Sequence, residues 1–93
     1  MVANQKDYGN NIAVCACAIE NMMVAANALD LGSCYINQLR WLNEDTALLD
    51  YLRSLGMKEN ERVYGAVIIG YPASGLPNRS LMTQRGNEIT YID

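Results

Sequence analysis

A chain of 93 residues carrying one helix with almost no polar face has few ways to fold. Residues 12–31 read as that helix. At about 100° per residue, Glu20, Asn21, Asn27 and Asp30 fall within one arc, which Ala16, Cys17, Met23 and Val24 interrupt. Every other position is apolar. Such a helix is stable only when it is surrounded. A chain this small hides only about 60–65% of its unfolded surface, too little to wrap a helix on all sides. The pattern predicts a subunit interface on this helix rather than a monomer core.

Composition narrows the classes further. Half of the residues are apolar (51%), which argues against disorder. The net charge of −3 removes the attraction that nonspecific nucleic-acid binding relies on. Glu20 and Asn21 interrupt the best candidate for a membrane span, and residues 1–10 lack a signal-peptide arrangement, so a cytoplasmic protein is expected. There is no histidine, which excludes Ser-His and Cys-His catalysis within this chain. Three cysteines are an odd set for a disulfide scaffold. On a helix Cys15 and Cys17 point roughly 200° apart and cannot grip one metal ion. They and Cys34 read as small buried thiols filling tight space.

Along the chain, residues 1–3 are apolar and residues 4–11 are polar and rich in turn formers. Asn11 is a fitting N-cap for the first helix, and Gly32 supplies a left-handed stop after Leu31. Residues 33–36 make a short strand closed by the amides of Asn37 and Gln38. Trp41 in the following connection is expected to pack above the second helix. Asn43 caps that helix, Glu44 and Asp45 suit its dipole, and Leu48, Leu49, Leu52 and Leu55 form its apolar face. Gly56 ends it, with Met57 packing back on Leu52. Residues 62–71 form a continuous apolar run, read as a central strand covered on both faces and stopped by Pro72. Residues 73–87 form a loop with Arg79 and Arg85, and residues 88–92 read as a terminal strand. The order is β-α-β-α-β-β, an α+β chain with helices flanking a sheet.

The succession Leu31, Gly32, Ser33, Cys34, Tyr35, Ile36, Asn37, Gln38 after a core helix resembles the FMN-dependent nitroreductase family. The likeness continues through residues 63–72 and through Pro77, Asn78 and Arg79, and covers nearly the whole chain. It implies a mainly antiparallel sheet and a partial domain, residues 1–93 matching the C-terminal portion. The family's first half has no counterpart, so the chain is expected to begin partway into a domain. The resemblance also implies FMN as cofactor, NADH or NADPH as hydride donor and a nitroaromatic or quinone-like acceptor. It implies a homodimer or higher oligomer through helix 12–31, with flavin at the interface. Tyr35, Ile36, Asn37 and Gln38 would lie along the isoalloxazine, with the backbone amides of Asn37 and Gln38 at its reactive nitrogen and pyrimidine edge. Many members carry an acidic residue or glycine at those two positions; the contact is made by backbone, so asparagine and glutamine are compatible with it. Arg79 would contact the FMN phosphate, for which a planar guanidinium fork is suited. The stretch 70–75 is not a phosphate loop, because it lacks a Lys-Ser/Thr ending. The family's main phosphate segment lies in the half without a counterpart. Two functions stay open on these residues: an FMN-dependent oxidoreductase, or a non-catalytic fragment that folds by self-association.

Overall fold

The computed structural model describes residues 1–74 and 86–92. Within them the chain forms β1 (Val2–Gln5), α1 (Asn11–Ala28), β2 (Gly32–Ile36), a 3-10 helix (Gln38–Glu44), α2 (Thr46–Ser54) and β3 (Glu61–Gly70). The sheet order is β1-β3-β2, and both pairings are antiparallel. The protein is therefore α+β, a three-stranded antiparallel sheet with helices against it.

β3 is central, as its apolar run predicts, but it is covered over only part of its length. Val63, Gly65 and Ala66 are buried, whereas Ile68 and Ile69 are 62% and 44% exposed. β1 pairs along the first half of β3 and β2 along the second, from Ala66 to Gly70. β1 pairs Ala3 with Val63 and Val2 with Gly65, so Tyr64 is an extra residue on β3, a bulge. The bulged Tyr64 accepts a hydrogen bond on its hydroxyl from Asn11 Nδ2 at 2.9 Å.

That bond corrects the expected cap. Asn11 is the first residue of α1, and its amide also donates to the carbonyls of Gln5 and Lys6 (3.3 and 3.1 Å). It staples the helix start to β1 and β3 instead of satisfying the helix's own amides. The other end also differs. α1 stops at Ala28, and the left-handed residue is Asp30 (φ 57°), not Gly32. Aspartate tolerates this region better than most side chains, and Leu31 N–H closes the end on Ala26 O at 2.9 Å. Gly32 is thereby freed to start β2 opposite Gly70.

α1 buries Cys15, Ile19 and Ala26 and leaves Ile12, Val14 and Val24 exposed by about half or more (53%, 47% and 62%). Cys17 and Cys34 are exposed as well, so only Cys15 fills tight space. Eighteen residues of mean hydropathy 1.3 make α1 long and apolar enough, by those measures alone, to cross a membrane. It carries Glu20, Asn21 and Asn27 exposed, and packs its narrow buried stripe on the sheet.

In α2, Asp45 is the cap, its carboxylate accepting from Leu48 N–H at 2.8 Å; Asn43 is committed elsewhere. Leu49 and Leu52 are buried, while Leu55, expected on the same face, is 64% exposed. Gly56 does end the helix, at φ 111°, and Met57 N–H bonds back to Leu52 O at 3.1 Å. The expected strand at 88–92 is not formed: these residues have no ladder partner among the described residues, and Ile89, Tyr91 and Ile92 are 61%, 84% and 94% exposed. A strand exists only in a pair, and β-compatible composition does not supply one.

The core comprises Cys15, Ile19, Ala26, Leu49, Leu52, Val63 and Ala66. The accessible surface is 7581 Å², where a closed monomer of this mass exposes about 5,400 Å². The chain hides about half of its unfolded surface, less than its length alone predicts.

Candidate functional site

The β2 strand delivers the candidate residues. Tyr35 pairs with Val67 and Ile36 with Ala66, the last rung of the ladder. Tyr35 is 40% exposed, and its ring lies diagonally across to Gly65: a Cβ built there would meet the Tyr35 hydroxyl at 3.1 Å and Ile19 Cδ1 at 2.7 Å. Glycine at 65 is what lets α1 and the tyrosine reach the sheet together. Sequence reading missed this residue, although the glycine inside a β-branched run was a visible signal of close backbone approach.

Asn37 leaves the ladder with helical dihedrals (φ −87°, ψ −27°) and opens the 3-10 helix, which begins at Gln38. Both residues are exposed. Asn37 O accepts from Arg40 N–H at 3.3 Å, but neither the Asn37 nor the Gln38 N–H has an acceptor among the described residues. For Gln38 this follows from its place, since the first amides of a helix have no intrahelical partner. The structure thus brings Tyr35, Ile36, Asn37 and Gln38 together as one strand end with two free donors. Arg79 lies outside the described residues.

The 3-10 helix is held from behind by Asn43, whose amide bonds both to Val63 N–H and C=O and to Arg40 O. Arg40 is half-buried with its guanidinium 4.5 Å from the Trp41 ring centroid, a cation–π contact. Its Nε is buried without a partner. Trp41 is 68% exposed, so it stacks with its neighbour instead of packing above α2. A 3-10 helix, Gln38–Glu44, holds Trp41 here and was absent from the expected element order.

Electrostatically the region is plain. Burial pushes the Cys15 thiol up, which keeps it protonated and unreactive. Among the described residues no group of three or more Cys, Asp or Glu side chains could hold a metal ion. Two open clefts lie elsewhere on the fold. One, of about 370 Å³, runs between α1 and the start of β2 and includes Glu20, Asn27 and Ser33. The other, of about 290 Å³, lies between β1, α2 and the start of β3. Neither includes Tyr35, Ile36, Asn37 or Gln38. The strand end thus lies outside both clefts, with its two amide donors exposed.

Known proteins sharpen this geometry. No curated protein matches the chain. A crystal structure of a nitroreductase with bound FMN from Bacteroides fragilis matches with a TM-score of 0.83 and 41% sequence identity, covering 100% of this chain and 49% of that one. The chain therefore spans about half the length of that solved nitroreductase. The model of the nitroreductase family matches residues 2–71, which hold every described element from β1 to β3 and the strand end between them. With three quarters of its length matched, and the same fold as an FMN-bound member, the chain belongs to the nitroreductase family.

Proposed function

We propose that this chain forms part of an FMN-dependent oxidoreductase that takes hydride from NADH or NADPH and passes electrons to nitroaromatic, quinone or similar acceptors. The observation that carries the reading is the likeness, over the whole chain, to a nitroreductase that holds FMN. The residues present fit the cofactor. An isoalloxazine edge offers acceptor atoms, and the Asn37 and Gln38 N–H groups are donors with no other acceptor among the described residues. Fixed donors at that edge favour the negative charge of the reduced ring. When bound, the flavin supplies the hydride chemistry itself. The chain supplies the wall of Tyr35 and Ile36, the donors of Asn37 and Gln38, and Arg79 for the phosphate. The opposite wall belongs to a further protein surface, and a second copy of the chain seated on α1 supplies one.

The test is a titration of the purified chain with FMN, followed by flavin fluorescence and absorbance. Saturable binding is expected. Arg79→Ala should weaken it by roughly tenfold, the loss of a charge-assisted bond. Anaerobic NADH or NADPH should then bleach the flavin band. A folded, oligomeric chain that binds no FMN would defeat the reading. It would favour the second one, a non-catalytic fragment that folds by self-association. The observation on that side is the 49% coverage of the solved relative.

A further inference from the structure

Where β2 leaves the ladder, a side chain takes its place. The last β2 rung is Ile36 with Ala66. Beyond it, the backbone of Val63 faces away from β1: Asn60 O faces β1 through Lys6 N–H, and strand residues alternate edges. The open edge is filled by Asn43. Its Nδ2 donates to Val63 O at 2.7 Å, and its Oδ1 accepts from Val63 N–H at 3.0 Å. A carboxamide carries the donor and acceptor of a peptide group, so Asn43 acts as one more rung. The same Nδ2 donates to Arg40 O at 3.0 Å, which ties the rung to the turn above it.

The 3-10 geometry passes this anchor back to the strand end. Residues three apart share a row in a 3-10 helix, so Asn37, Arg40 and Asn43 form the row that Asn43 fixes on β3. Gln38, Trp41 and Glu44 form another row, and all three are exposed. Among the described residues, the 3-10 helix makes no other hydrogen bond to β3.

We propose that Asn43 is a positioning residue for the flavin edge. It ends β2 after Ile36 by occupying the Val63 rung, and thereby fixes where the Asn37 and Gln38 N–H groups point. The inference rests on the flavin reading above. Loss of the rung leaves the Val63 N–H and C=O unmade and frees the turn to rotate about its own axis.

Asn43→Asp keeps the size and removes the donors. At neutral pH one carboxylate oxygen still accepts from Val63 N–H, while the other faces the carbonyls of Val63 and Arg40. On acidification the acid protonates, and its O–H donates to Val63 O. The FMN dissociation constant of Asn43→Asp, relative to the unaltered chain, should be raised roughly tenfold at neutral pH and return towards one on acidification. For Asn43→Ala the ratio should be raised and flat with pH. In the flavin-free chain, hydrogen exchange at Val63 and across residues 37–44 should quicken in Asn43→Ala. Quickened exchange with unchanged FMN affinity makes Asn43 a structural brace only and overturns the proposal. Unchanged exchange overturns the rung itself. An unaltered chain that folds, shows the exchange effect and binds no FMN defeats the flavin reading and the positioning role with it, while leaving the rung intact.

Discussion

Gly65 is the residue on which three elements converge, and its missing Cβ is a packing requirement. Its backbone is not left-handed, so alanine there would be resisted by sterics alone. Ile19 Cδ1, 2.7 Å from the position of a built Cβ, is the tip of a flexible side chain, but Ile19 is only 1% exposed and has little room to retreat. Gly65→Ala should therefore destabilise the chain by about 1–3 kcal/mol, the usual range for overpacking. Ile19→Val removes Cδ1 and by itself should cost about 0.5–1.5 kcal/mol. If the clash is the cause, the double variant loses less than the sum of the two, as urea unfolding can measure. Strict additivity would leave the Gly65 effect without this explanation. Nothing in the sequence named Ile19 or Tyr35 as the neighbours of Gly65. Composition shows that a close approach exists; only the fold shows what approaches.

At the scale of elements, what was legible is what local chemistry decides. Gly56 ends α2 because a left-handed residue is needed there, and Met57 folds back on Leu52 as the motif requires. The central strand was readable from its β-branched run, and a short strand at 33–36 from its apolar, β-compatible residues closed by two amides, though its start at Gly32 was not. The caps were less legible. Asn11 and Asn43 have the side chains of N-caps, and each is instead drawn into a contact across the fold, with Tyr64 and with Val63, respectively 53 and 20 residues away in sequence. An asparagine satisfies whichever backbone group lies nearest, and that is set by tertiary structure. The vacated role at α2 falls to Asp45. Asp45→Ala should accordingly cost about 1 kcal/mol through loss of the bond to Leu48 N–H. The check is the unfolding free energy together with helical circular dichroism. An effect near zero would mean that α2 is capped from elsewhere.

At the scale of the whole molecule, a helix apolar on nearly every side leaves surface to be covered. The surface exceeds that of a closed monomer by roughly 2,000 Å², about what one partner contributes to a large obligate interface. The radius of gyration is 16.7 Å, against about 12 Å for a compact domain of this length. The least dimension is 19 Å, so the chain is a slab with one sheet and little behind it. The apolar excess of α1 was legible from spacing alone; which side it leaves bare was not, because that depends on where the sheet lies. Val14 and Val24 are on the bare side, and Val24, at 62% exposed, gives a clean probe. On a monomer surface Val24→Glu should change stability by no more than about 0.5 kcal/mol. In an assembly that covers α1, the substitution buries an unpaired carboxylate, which costs several-fold more. The unaltered chain should sediment as a dimer or larger species, with a melting midpoint that rises with protein concentration by mass action. Val24→Glu should shift it to smaller species and lower that midpoint. A midpoint independent of concentration, with Val24→Glu indistinguishable from the unaltered chain, would mean that α1 is stable uncovered and that the self-association reading is wrong.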